Sequence, residues 1–351
     1  MIEDRLREAF ARNEAQVPDA TRLVPLIEAE VRHRRTRRRF LASAAGAGLA
    51  VLLVAVGLPA LVGDRLTGAL TPSLPGHAEA IPTNRAMNFL IAGIDRLPSW
   101  RPDEATRADA IIVVHVPADR SAVHLLTIPR DLEVILPPVP DRGFEGGRTK
   151  INAAYTFGGF EMLAQTVADL TGLAFDGGAV VQLDGLTGLV DQVGGVPLCV
   201  DVHLKSIHTG AVFEPGCRTF TGAQVADYLR QRRGLPDGAR DRERHVLQFL
   251  VALTRQVVSS GTLDELDRLT AAYRTLRRYV LVDTRAMSPV DLMWQLRGAT
   301  RTLFAAEVPV AYTGTGNVVQ EPAALELFQA LRTDALAAWL ARHPTAAVSM
   351  P

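Results

Sequence analysis

Aspartates and guanidinium groups recur at the ends of apolar runs in this chain. Asp95 closes one run, Arg107-Ala108-Asp109 opens another, Pro129-Arg130-Asp131 closes a third, and Arg230-Gln231-Arg232 falls late in a capped helical pattern. Carboxylate oxygens are hard ligands suited to Mg2+, whereas the planar arginine fork neutralises and orients phosphate oxygens. The combination points to a diphosphate bound together with a divalent metal. Lys150 adds a compact positive charge to a chain that otherwise defaults to arginine, Lys205 being its other lysine. Charges at strand ends and on helix faces are usually solvated or structurally paired, so the inference rests on convergence.

Convergence requires elements that bring these residues together. Residues 87–94, 110–116 and 122–128 are compact apolar runs bounded by turn signals and read as strands. The second and third are joined across Pro117-Ala118-Asp119-Arg120-Ser121, a length suited to a hairpin. If the first strand is also antiparallel to the second, Asp95, Asp109 and Arg130 share one sheet edge. A helical pattern then carries Phe160, Leu163, Val167 and Leu170 on one face before Gly172 ends it. Strands are expected at 178–183 and 196–202, flanking a helical segment at 186–193 with Gly194-Gly195 as the turn.

Thr221-Gly222-Ala223-Gln224 has the capping-box form, so a helix should start there and carry Tyr228, Arg230 and Arg232. A further helix is expected over 241–258, and capping signals recur at Thr262 with Glu265 and at Ser288-Pro289 with Asp291. Alternating strand and helix patterns favour an α/β or α+β sandwich over an all-β fold.

The 351 residues carry equal numbers of basic and acidic side chains, and nothing beyond the N-terminal block resembles a nucleic-acid-binding surface. That block, residues 32–39, directly precedes the uncharged run 40–63, which is long enough for a membrane-spanning helix. Arginine clusters favour the cytoplasmic side, so the chain reads as a cytoplasmic tail (1–39), an anchor (40–63), a linker (64–86), an extracytoplasmic domain (87–335) and a C-terminal tail (336–351). Cys199 and Cys217, the chain's two cysteines, both fall on the oxidising side, where a disulfide between them is expected. The histidines, including His115, His124, His203, His208 and His245, lack zinc-ligand spacing.

The segments Asn88-Phe89-Leu90-Ile91-Ala92-Gly93-Ile94-Asp95-Arg96, Arg107-Ala108-Asp109-Ala110, Thr127-Ile128-Pro129-Arg130-Asp131 and Lys150-Ile151-Asn152-Ala153-Ala154-Tyr155 resemble consecutive motifs of the LytR-CpsA-Psr family. So do Leu189-Val190-Asp191-Gln192-Val193-Gly194-Gly195-Val196 and Tyr228-Leu229-Arg230-Gln231-Arg232. The resemblance implies an α/β fold, an α-β-α sandwich with a central mixed β-sheet. It also implies a phosphotransferase that moves a glycopolymer, teichoic-acid-like or arabinogalactan-like, from a polyprenyl pyrophosphate carrier at the membrane to peptidoglycan, with no nucleic acid as partner. Residue by residue, it implies Asp95 and Asp109 as ligands of Mg2+ or Mn2+. It implies Arg130, Asp131, Arg230 and Arg232 at the reacting centre, and Arg107, Lys150 and Arg242 around the pyrophosphate.

The carrier's lipid tail needs an apolar cavity, for which Val180, Leu183, Leu186, Leu189, Val193, Phe249 and Val251 are candidate linings. Ordinary core packing is the competing reading of the same residues. The chain departs from the family pattern at Ala239 and Val246, where an Asp and a Gln are usual, and Asp241 and Gln248 are out of phase on the helix. A cell-envelope transcriptional attenuator, a pocket-bearing scaffold with weakened turnover and a pyrophosphatase remain as alternatives. The attenuator would have to fit a DNA reader into a 39-residue tail that has no helix-turn-helix pattern.

Overall fold

The computed structural model describes residues 85–94, 106–236, 238–260, 266–276, 279–283, 303–313 and 318–348. The expected cytoplasmic tail and anchor, Asp95, and the capping signals at Thr262 and Ser288 lie outside these residues. Among the described residues no helix is long and apolar enough to cross a membrane.

The expected apolar runs form β1 (Met87–Ile94), β2 (Ala108–Val116) and β3 (Val123–Thr127), in which every residue is buried. Continuous burial means that both faces of the sheet are covered, and the alternation of side chains divides them into two cores. In β1, Phe89 and Ile91 belong to one core, while Leu90, Ala92 and Ile94 belong to the other. β2 pairs antiparallel with both β1 and β3, as the hairpin signal predicts. β6 (Gly177–Gln182) runs parallel to β1, β11 (Val280–Asp283) antiparallel to β6, and β12 (Leu303–Glu307) parallel to β3. The result is a mixed six-stranded sheet in the order β11-β6-β1-β2-β3-β12.

One face is covered by α1 (Asn152–Thr171), α6 (Pro322–Arg332) and α7 (Leu336–Arg342), through Leu163, Leu327 and Trp339 among others. The other is covered by α2 (Thr187–Gln192), α3 (Gly222–Arg230), α4 (Gly238–Ser259) and α5 (Leu266–Leu276), through Leu189, Val225, Phe249 and Ala272. This is the expected α-β-α sandwich with a central mixed β-sheet. α1 ends at Gly172, whose φ of 69° is the left-handed conformation that glycine adopts without steric cost. At the start of α3 both hydrogen bonds of the Thr221–Gln224 capping box are present.

Four two-stranded ribbons accompany the sheet among the described residues. In one, β7 (Val196–Val200) and β10 (Gly216–Phe220) pair antiparallel with Cys199 directly opposite Cys217, and the two form the expected disulfide. Another, β4 (Glu133–Leu136) with β5 (Gly147–Lys150), was not expected from the sequence. It leaves the sheet immediately after Pro129-Arg130-Asp131 and returns at Lys150, so it carries the two ends of one functional motif.

Candidate active site

Asp109 owes its position to an irregularity. Gly93 pairs with Ala110 and Ile94 with Ala108, leaving Asp109 as the extra residue where the register shifts. Such a bulge re-aims a side chain at a sheet edge. The carboxylate of Asp109 accepts a hydrogen bond from Arg130 Nη1 and lies 3.5 Å from Arg242 Nη2. The same Nη2 donates to the Asp109 backbone carbonyl at 2.7 Å, so α4 is tied to the start of β2.

Arg130 follows β3, and its peptide unit is held from two sides. Its N–H donates to Glu243 Oε1 at 3.1 Å, and its carbonyl accepts from the Asn152 N–H, at the N-terminus of α1, at 3.2 Å. Lys150 donates to Asp131 Oδ1 at 3.0 Å, closing the base of the β4–β5 ribbon, and Arg130 Nε lies 3.9 Å from Asp131 Oδ2. Nε of Arg130 is buried with no hydrogen-bond acceptor among the described residues. An orphaned buried donor is costly, and a ligand oxygen would satisfy it.

Arg232 joins the same field. Partial burial, followed by the positive charges of Arg242 and Arg130, lowers its guanidinium below the usual arginine value, against the pull of Asp109 and Asp131. Four cations, Arg130, Arg232, Arg242 and Lys150, therefore face two carboxylates, Asp109 and Asp131, and an anion would relieve the excess positive charge.

Sequence reasoning missed Glu243. It is 6% exposed beside Arg242, and burial raises its carboxyl to about 7, opposed by the Arg130 N–H bond and the charge of Arg242. The sequence places this residue on a helix next to an expected phosphate ligand, but only the packing reveals that it grips the Arg130 backbone.

The remaining expected residues divide. Arg107 is exposed just before β2, behind Thr106, whose carbonyl accepts from the Thr156 hydroxyl at 2.8 Å. Arg230 is exposed in the last turn of α3. Arg232 lies beyond that helix and not on it, because the backbone turns extended at Gln231, with ψ of 135°. Asp241 is engaged by Arg244 at 3.1 Å and Val246 is buried in the core, so Asp241 does not stand in for the Asp usual at the position of Ala239.

The candidate lipid-lining residues do not share one surface. Val180 packs into the core beneath α1, whereas Leu186, Leu189, Val193, Phe249 and Val251 pack into the opposite one. Alternation along β6 is the reason, since Val181 rather than Val180 faces the second group. The side chain of Leu183 lies outside the described residues.

The strand ends carry oxygen donors of the kind a hard cation takes. Gln182, in register with Ile94 at the neighbouring strand end, has a buried amide oxygen with no hydrogen-bond partner among the described residues. Asp109 and this oxygen are both of the type Mg2+ accepts. Among the described residues, no group of three or more His, Cys, Asp or Glu side chains is arranged to hold a metal by itself.

Fold and site together define an α/β sandwich protein with a cluster of arginines, a lysine and aspartates at one edge of its sheet. The chain belongs to the LytR_cpsA_psr family, whose profile matches residues 69–335. It is similar to the cell wall biosynthesis protein LcpA of Corynebacterium glutamicum, at 30% identity over 256 residues, covering 65% of this chain and 48% of that protein. The polyisoprenyl-teichoic acid–peptidoglycan teichoic acid transferase TagU of Halalkalibacterium halodurans is 30% identical over 244 residues, covering 66% of this chain and 72% of TagU. The chain thus spans about half the length of the corynebacterial relative and more of TagU. A crystal structure of a Streptococcus agalactiae protein shares the fold, with a TM-score of 0.60 at 21% identity over 72% of this chain and 88% of that one.

Proposed function

We propose that this protein is a phosphotransferase that moves a glycopolymer from a polyprenyl pyrophosphate carrier onto peptidoglycan, leaving a phosphodiester link. The observation that carries the reading is the cationic cluster around Asp109 and Asp131, with the Arg130 Nε–H buried and lacking an acceptor among the described residues. Relatives named as cell-wall and teichoic acid transferases support the same direction.

An acceptor hydroxyl, the C6 hydroxyl of an N-acetylmuramic acid unit, attacks the sugar-proximal phosphorus. The new O–P bond forms as the bond to the bridging oxygen breaks, and polyprenyl monophosphate leaves. Arg130, Arg232 and Arg242 stabilise charge on the equatorial and leaving oxygens, with Arg107 and Arg230 at the rim of the site. The proton passes to a carboxylate, for which Asp131 and Asp95 are the candidates. Asp109 with Asp95 would hold Mg2+, which supplies charge neutralisation at the phosphate oxygens when bound. No nucleotide enters, because the pyrophosphate already carries the driving force. An anchor at 40–63 would keep the domain outside the cell, at the leaflet where the lipid-linked donor is presented.

A scaffold with weakened turnover, drawing on Ala239 and Val246 where the family's usual Asp and Gln are absent, and a pyrophosphatase are the other readings. Incubating the full-length protein with a short-chain polyprenyl pyrophosphoryl glycan, Mg2+ and a peptidoglycan fragment separates the three. A glycan–peptidoglycan phosphodiester supports transfer; binding without product supports the scaffold, and release of glycan phosphate to water supports the hydrolase.

A further inference from the structure

A groove of about 420 Å3 opens between the β4–β5 ribbon and α1. Its volume lies within the range of about 300–1,000 Å3 common to small-molecule sites. α1 contributes Met162, Gln165, Thr166 and Asp169, whose spacing places them along one side of the helix. β4 contributes Glu133 and Ile135, the latter 72% exposed, while Arg148 of β5 and Gln320 of β14 (Val318–Gln320) complete the polar lining.

The ribbon links the groove wall to the site. Lys150, which binds Asp131, stands in register with Glu133, and Glu133 in turn accepts from Arg148 at 2.6 Å. Two ion pairs thus occupy neighbouring rungs, one in the cationic cluster and one in the groove wall. From Asp131 to Ile135 an extended strand covers about 13 Å, a span that a few linked sugar units bridge.

The lining chemistry differs from that of the site. Gln165 donates to Asp169 Oδ1 at 2.7 Å, and this amide–carboxylate pair, with the Gln320 amide, Glu133 and exposed apolar atoms, offers remaining donor and acceptor positions that suit the hydroxyl and acetamido groups of an uncharged sugar and its apolar ring face. The carboxylates of Glu133 and Asp169 disfavour a phosphate-rich polymer, and Arg148 is already neutralised by Glu133. Resting on the transfer reading above, we propose that the groove is the acceptor subsite, binding an acetamido sugar of the glycan strand that receives the transferred group.

Gln165→Ala and Asp169→Lys test this at exposed helix positions outside the catalytic cluster, with melting temperatures as the check on folding. The probe is a soluble peptidoglycan tetrasaccharide, titrated calorimetrically into the full-length protein in detergent. Each variant is expected to bind it about tenfold more weakly, the worth of one or two hydrogen bonds. In the transfer assay the KM for acceptor should rise by a similar factor, with kcat and the KM for lipid donor unchanged. Unaltered tetrasaccharide affinity in both variants overturns the proposal, as does a loss confined to a glycan phosphate representing the donor. Groove-dependent binding without transfer by the wild type would leave the subsite standing and remove the transferase reading. Transfer with an acceptor KM indifferent to both variants would do the reverse.

Discussion

Glu243→Gln isolates what a buried carboxyl does beneath the reacting arginine. The amide oxygen of Gln keeps an acceptor for the Arg130 N–H, now 3.1 Å from Oε1, while removing the ability to ionise. In the folded protein burial raises the Glu243 carboxyl to about 7, whereas an unfolded glutamate titrates near about 4.3. Between those values the unfolded chain has released a proton that the folded chain retains, so this group makes stability fall as pH rises through the window. The difference corresponds to about 4 kcal/mol, fully expressed once the folded carboxyl is forced to ionise. Urea unfolding of the two proteins at about pH 4.3 and about pH 8 measures it. Near-equal stability is expected at the lower pH, and a more stable Gln variant, by up to about 4 kcal/mol, at the higher. A difference that stays constant across that range would refute the reasoning, because a pH-independent effect cannot come from this ionisation.

Three further outcomes follow from the packing. Replacing Cys199 and Cys217 together with Ser removes a cross-link spanning 18 residues and should cost about 3 kcal/mol in denaturant unfolding under oxidising conditions, with no difference from wild type once both are reduced. Gly222→Ala would drive its new Cβ into the Thr187 carbonyl oxygen where α3 abuts α2, and should cost about 1–3 kcal/mol in a thermal melt. Burial lowers His124 and His245 to about 4, so unfolding gains protons as pH falls from about 6.5, and stability present at neutral pH is lost toward about 4. His124→Phe, placed beside Phe304 at a ring separation of 5.2 Å, should reduce that acid sensitivity in melts at acidic and neutral pH.

Much of this was legible in the chain. The strands of the central hairpin are mostly apolar and rich in β-branched residues, the helix ends are marked by Gly172 and by Thr221 with Gln224, and these features are local. Antiparallel pairing brought Asp109 and Arg130 to one sheet edge, and the bulge then aimed the Asp109 side chain. What escaped depends on tertiary context. The β4–β5 ribbon is short and mostly half-buried, four residues in each strand, too brief for a periodic pattern to mark it. The bulge that frees Asp109 is a single-residue event, invisible until two strands are registered. Glu243 reads as a surface helix charge unless one knows that α4 lies over the end of β3. Val180 and Val181 look alike in sequence, yet strand alternation sends them to opposite cores. β12 reaches β3 from far along the chain, a parallel pairing for which no local signal exists.

The central claim is that the Arg130 guanidinium, anchored to Asp109 with its Nε–H awaiting an oxygen, stabilises the transferring phosphoryl group. The most direct measurement is the rate of glycan transfer by Arg130→Ala, at saturating donor and acceptor, alongside circular dichroism and a melting curve. The account predicts a fall of about a hundredfold or more, the usual cost of removing one transition-state donor, with the fold intact. Transfer at the wild-type rate by a folded Arg130→Ala protein would contradict it.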